Sequence, residues 1–175
     1  MRPEFEKILD PKYIMRNTDT RGLKVTIKKH KFKGVSLFAT KPINKNSIIA
    51  YYRMTVFKLD GFKSKTNNMY TFTIHTPKGN ESRTLIGDLT LESLPPPCRG
   101  IPYWGYFANE PSEGEEGNAY IDINLKQTYR TRRTLKEGDT VIYKLRASRN
   151  IKKGEEIKYC YGPLYERNYE TPCED

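Results

Sequence analysis

A small, mainly β fold is what this sequence predicts. Short runs rich in β-branched and aromatic residues recur along the chain, bounded by Gly, Pro, Asn and Lys clusters, and sustained 3.6-residue apolar periodicity is missing. Strands at close spacing with little helix between them imply sheets folded around one core. The first runs are 24–28, with Val25, Thr26 and Ile27, and 35–40, which ends at Lys41-Pro42. Next comes 47–59, with Ile48-Ile49, Tyr51-Tyr52 and Val56-Phe57, long enough that a break is expected inside it. Residues 69–76, 119–124, 140–148 and 156–161 supply the remaining strands. Residues 2–14 have room for a helical turn or two and 103–108 for a short helix, while Pro95-Pro96-Pro97 and 110–117 read as loops.

At 175 residues the chain can bury one sizeable core, and a second domain of ordinary size has no room. No stretch approaches the ~18 apolar residues that span a bilayer. Met1 to Met15 carries acidic residues where a secretory leader has its apolar centre, so an intracellular protein is expected. Cys98, Cys160 and Cys173 have no Cys-x-x-Cys spacing, which leaves a locally built zinc site unsupported and predicts free thiols in a reducing compartment. The sequon Asn80-Glu81-Ser82 is read as chance in that setting.

The formal charge of +10 is uneven. Residues 1–54 hold 13 Lys or Arg against 4 Asp or Glu, 55–120 hold 6 against 8, and 121–175 hold 12 against 9, giving +9, −2 and +3. The basic block 24–33 (KVTIKKHKFK) could gain affinity for nucleic acid by releasing counterions from phosphates, or could be a solvated strand face.

Three segments carry chemistry. The first is Gly34-Val35-Ser36-Leu37, followed by Ile48-Ile49-Ala50-Tyr51-Tyr52; the second is Tyr106-Phe107-Ala108-Asn109-Glu110-Pro111, closing at Asn118-Ala119. The third is Gly154-Glu155-Glu156-Ile157-Lys158-Tyr159-Cys160-Tyr161-Gly162. On a strand, tyrosines two residues apart share a face, and two phenols side by side can line a slot with apolar walls and hydroxyl oxygens for a cation at its end. An isolated Tyr-x-Tyr is as readily packed aromatics. In conjunction and in this order the segments resemble those of the SET-domain protein lysine methyltransferases, over residues 22–165, with 55–100 as a variable insert, 1–21 as an N-terminal extension and 166–175 as a tail. The resemblance implies several small curved sheets with the C-terminal segment threaded under a preceding loop as a pseudoknot. That would be an exception to the rule against threaded connections.

The resemblance also implies S-adenosylmethionine as cofactor and a basic protein segment, such as a histone tail, as substrate. It puts Tyr161 at the catalytic position, Tyr159 at the position that limits the number of methyl groups, and Tyr52 along the lysine channel, with Tyr51 on the opposite face. Gly34, Ser36, Leu37, Asn109 and Glu110 fall on the cofactor side. Ser36 stands where the family has a second glycine, and Glu110 where it has histidine. The tail lacks the family's cysteine-rich zinc segment, so aromatics such as Tyr165 and Tyr169 are expected to close the channel. His30 and His75 match no functional motif. Glu113, Glu115 and Glu116, with Glu110, put four carboxylates within seven residues, a loop that could attract a basic substrate or simply be solvated. Two other readings stay open: an inactive relative of the same fold serving as an interaction module, and a basic β-rich nucleic-acid-binding protein whose Phe32, Phe38, Tyr51 and Tyr52 stack on bases.

Overall fold

The computed structural model describes residues 7, 9–64, 70–74, 85–89, 94–123, 135–162, 167 and 169–173. The sequon, His75 and Tyr165 lie outside the described residues. A short helix α1 (Pro11–Asn17) precedes the first strand; Asp10 Oδ1 accepts from Lys12 N–H, Pro11 occupies the first turn, and Ile14 is buried. Lys7 and Leu9 are helical as well, within the expected 2–14, and α1 runs on past Ile14 to Asn17.

Strands β1 (Val25–His30) and β2 (Gly34–Ala39) form an antiparallel hairpin, paired from Val25↔Ala39 to His30↔Gly34. The second sheet holds β3 (Ile48–Lys58), β4 (Thr71–Thr73), β5 (Leu85–Asp88), β6 (Ala119–Asp122) and β7 (Thr140–Ala147), in the order β4-β5-β3-β7-β6 with every pair antiparallel. Instead of breaking, β3 runs for 11 residues and absorbs its irregularity as a register shift between Ile48 and Ala50. A 3-10 turn (Gly105–Phe107) lies against β3. A Cβ on Gly105 would stand 2.9 Å from Tyr51 O and 3.3 Å from Tyr52 Cβ, so only glycine admits this approach.

Two expectations change. Strand β5 was not anticipated: it is four residues long and contains Gly87, which packs under Ile74 and Met54, so it shows little of the aromatic, β-branched pattern. Residues 156–161 form no continuous strand. Glu156 bridges Phe38 antiparallel and Lys158 bridges Asn109 in parallel, so the segment changes partner within three residues.

That exchange builds the interlocked centre of the fold. Ile157 N–H donates to Leu37 O and Gly154 N–H to Ala39 O, holding 154–157 along β2. Tyr159 N–H donates to Asn109 O, while Asn118 and Ala119 N–H both reach Lys158 O. The buried Asn118 side chain donates to Glu156 O and accepts from Lys158 N–H. The C-terminal segment is thus gripped between β2 and the 108–119 stretch, the arrangement the resemblance implied. Leu37, Tyr52, Met54, Tyr143, Leu145, Ile151 and Ile157 fill the core between them.

The cysteine expectation is corrected. Cys160 and Cys173 are joined by a disulfide, bringing Cα atoms 13 residues apart in sequence to 5.5 Å, and Cys98 alone is a free, exposed thiol. The chain's return past residue 167 creates the proximity, which spacing in the sequence does not encode. Among the described residues, no helix is long and apolar enough to cross a membrane.

Candidate functional site

Phenols from four parts of the chain gather beside the interlocked segment. Tyr159 and Tyr161 lie on one side, ring centroids 5.0 Å apart and tilted 68°. Tyr52, brought by β3, is 2% exposed. Burial pushes its phenol well above the ordinary value, and Tyr159, Tyr70, Tyr161 and Asp88, in that order, add to the shift. Tyr106 packs edge-on to Tyr70 at 5.8 Å and to Tyr52 at 6.4 Å, and burial likewise raises its phenol well above the usual value. Tyr52 and Tyr106 therefore stay neutral near pH 7 and act as hydrogen-bonding groups. Tyr51 faces the other way and stacks on Tyr103 at 5.2 Å. Tyr161 Oη donates to Ala108 O at 3.0 Å, which ties the ring to the 108–110 segment.

The residues expected on the cofactor side divide. Gly34 has φ +75° and open space around a would-be Cβ, the position where a tight hairpin end needs glycine. Asn109 Nδ2 donates to Val35 O at 2.9 Å and to Ser36 Oγ at 2.6 Å, cross-linking β2 to the second motif. Ser36 is wholly buried, and its hydroxyl gives Asn109 a partner that a glycine would not. The two bonds fix the amide plane, and among the described residues no donor reaches Asn109 Oδ1. Leu37 does not join this surface: its side chain is fully buried and its carbonyl takes Ile157 N–H.

Glu110 is turned inward, with its side chain 1% exposed. Oε1 accepts from Tyr161 N–H and Arg167 Nη2, both at 2.7 Å; Oε2 accepts from Arg167 Nε at 2.8 Å and Tyr169 Oη at 2.7 Å. Burial pushes the carboxyl up, and the bonds from Arg167, Tyr161 and Tyr169 outweigh it, so the net shift is downward and the group is ionised. Tyr169 is thereby bound to Glu110 rather than left to close a channel alone. Arg167 was missed from sequence, because nothing local to it signals a partner 57 residues away.

The acidic loop is only partly available to a ligand. Glu115 bonds Lys158 Nζ at 2.6 Å and Lys33 Nζ at 3.2 Å, and Lys33 also reaches Glu156 at 3.1 Å and Glu110 O. The Lys158 bond, together with Ser112 and Lys33, overcomes the upward pull of burial and brings Glu115 to a pKa of about 2. Glu113 and Glu116 remain exposed. Glu113 borders an open hollow of about 680 Å³ walled by Arg167, Tyr169, Glu170 and 171–173.

A family model described as the SET domain matches residues 34–162. Among solved structures, the chain is similar to a Plasmodium falciparum protein to which histone methyltransferase activity is ascribed, at TM-score 0.50 and 20% identity, covering 80% of this chain and 94% of that one. It is also similar to the methyltransferase domain of human PR domain-containing protein 2, at TM-score 0.49 and 18% identity over 90% and 88% of the two chains. A third similarity, at TM-score 0.49 and 21% identity, is to ctPRC2 in an autoinhibited conformation bound to S-adenosylmethionine; it covers 80% of this chain but 15% of that one. Comparison with curated protein sequences gave no match.

Proposed function

The chain belongs to the SET-domain family, and from that premise we propose that it is an S-adenosylmethionine-dependent lysine N-methyltransferase acting on a basic protein segment, with histone tails the first candidates. The observation that carries the reading is the gathering of Tyr52, Tyr159 and Tyr161 next to the Val35–Ser36–Asn109 cross-link, which sets a group of phenols beside a half-buried amide oxygen. The donor set suits the cofactor. The open space at Gly34 admits a ligand against the backbone, and Asn109 Oδ1 is an acceptor for an ammonium group. When bound, S-adenosylmethionine supplies an electrophilic methyl group on a positively charged sulfur.

The rest of the chemistry falls to the chain. A free lysine amine has a pKa of about 10.4 and must lose its proton to become a nucleophile. Seating it among buried phenols disfavours the charged form. Tyr161, its own proton directed to Ala108 O, presents oxygen lone pairs that orient the amine and stabilise developing positive charge. Tyr159 and Tyr52 wall the approach and exclude water. Glu113 and Glu116, as the exposed part of the acidic loop, draw the basic segment in.

The test is incubation with S-adenosylmethionine and Lys- and Arg-containing peptides, read by mass spectrometry, beside a direct cofactor titration. Methylated lysine is expected, and Tyr161→Phe should keep the fold while turnover drops by roughly a hundredfold or more. Full activity in that variant would remove Tyr161 from the catalytic role, and no cofactor binding by the unaltered chain would favour an inactive relative. A second partner has its own observation. At the β1–β2 turn Phe32 is 83% exposed between Lys31 and Lys33, with Lys28 and Lys29 also exposed, a basic and aromatic tip suited to nucleic acid beside the substrate. Salt-dependent retention on DNA, lost in Lys28→Glu/Lys31→Glu, would support it.

A further inference from the structure

Residues 108–110 and 159–161 run side by side, and their contacts form a short series. Tyr159 N–H goes to Asn109 O and Tyr161 Oη to Ala108 O. In a parallel ladder the next amide, that of Tyr161, would seek the carbonyl of residue 111. Pro111 O instead accepts from Thr171 Oγ1 in the tail, and Tyr161 N–H is taken by the Glu110 side chain. The same carboxylate then collects Arg167 and Tyr169, so four donors fill the roughly four lone-pair sites it has. An imidazole, with two nitrogens, could not do this. Arg167 also donates to Gly162 O, and the Cys160–Cys173 disulfide ties the far end of the tail to the residue between the two tyrosines.

We propose that Glu110 is a positioning residue for Tyr161: one buried carboxylate fixes the tyrosine's backbone and docks the C-terminal tail, so that the phenol and the tail are set by a single group. The inference rests on the reading of Tyr161 as the residue beside the reacting amine. Oε1 takes the Tyr161 amide together with one Arg167 nitrogen while Oε2 serves the tail alone, and the bonds to Tyr161 and to Arg167 have separable consequences. Loss of the Tyr161 bond lets the phenol drift and lowers kcat; loss of the Arg167 pair loosens the tail beside the substrate and raises KM.

The test uses the full chain in four forms: Glu110→Gln, Glu110→Ala, Arg167→Leu and the double variant Glu110→Gln/Arg167→Leu. Glutamine keeps an oxygen for Tyr161 N–H, so kcat should stay within about threefold while the peptide KM rises about tenfold. Alanine removes both arms, and kcat should fall about thirtyfold or more. In Arg167→Leu the buried carboxylate loses its cation, and its ionisation should move up into the assay range as a new inflection in kcat/KM against pH. The other groups facing this site are Tyr169, Lys33 on the Glu110 carbonyl, and through Lys33 the carboxylates Glu115 and Glu156. All are retained in the double variant, which should lose the inflection. Hydrogen exchange gives a readout independent of turnover: the Tyr161 amide should exchange at least about tenfold faster in Glu110→Ala and little faster in Glu110→Gln. If Glu110→Ala does not fold, the Gln and Leu forms still decide through the KM-against-kcat split and the pH inflection. Unchanged Tyr161 exchange in a folded Glu110→Ala, or an inflection that persists in the double variant, would overturn the proposal. If the unaltered chain transfers no methyl group, the proposed function falls and the exchange rates alone judge the positioning role.

Discussion

Replacing Asn109 by alanine separates what this residue does for the fold from what it does for a ligand. Its Nδ2 makes two bonds, to Val35 O at 2.9 Å and to Ser36 Oγ at 2.6 Å, and Ser36 is fully buried. Each lost bond removes about 1 kcal/mol, and leaving the Ser36 hydroxyl without its partner adds about 1–2 kcal/mol of desolvation that nothing offsets. The sum is about 3–4 kcal/mol. For a chain of this size each kcal/mol moves Tm by roughly 2–4 °C, so a drop of about 6–16 °C is expected. Urea unfolding should show a lower midpoint at unchanged slope. Ser36→Ala in the same background should add little, with a coupling of about 1 kcal/mol in the double-mutant cycle. Measured well below the new Tm, S-adenosylmethionine affinity should still fall about tenfold, since Asn109 Oδ1 is gone as well. A stability loss under about 0.5 kcal/mol would refute the cross-link reasoning, whatever happens to the ligand.

The other expectations rest on separate features. Tyr159→Phe removes the hydroxyl that crowds the amine and can hold a water there, so the unaltered chain should give mainly monomethyl-lysine and the variant di- or trimethyl product; identical product distributions in mass spectra would exclude Tyr159 from this control. Gly105→Ala places a Cβ 2.9 Å from Tyr51 O, where backbone cannot yield easily, and should destabilise by about 1–3 kcal/mol in urea titration while lowering turnover through Tyr52. Glu115 has a folded pKa of about 2, below its unfolded value near 4.5, so its contribution is full above pH 4.5 and fades as pH falls toward 2. Glu115→Gln should therefore lose stability relative to the unaltered chain at pH 6 and approach it near pH 2. A difference independent of pH would mean that the Lys33 and Lys158 bonds are not its source. The side chain is 36% exposed, and salt should reduce the effect.

What the sequence determined by itself was local. Strands β1, β2, β3, β6 and β7 were legible because β-branched and aromatic runs end at clear breakers, and the pair Tyr159 and Tyr161 was legible because a two-residue spacing fixes a common side. The family was legible because three weak motifs occurred in one order. Tertiary structure decided everything that depends on distant segments meeting. It turned 156–161 from a strand into a segment shared by β2 and Asn109, drew Leu37 into the core, joined Cys160 to Cys173, and gave Glu110 its partners in Arg167 and Tyr169. A departure such as glutamate for histidine reads in sequence only as a loss. Its physical sense comes from the four donors that converge on it, all supplied by three residues 51 to 59 positions downstream, where no local pattern can point back to position 110.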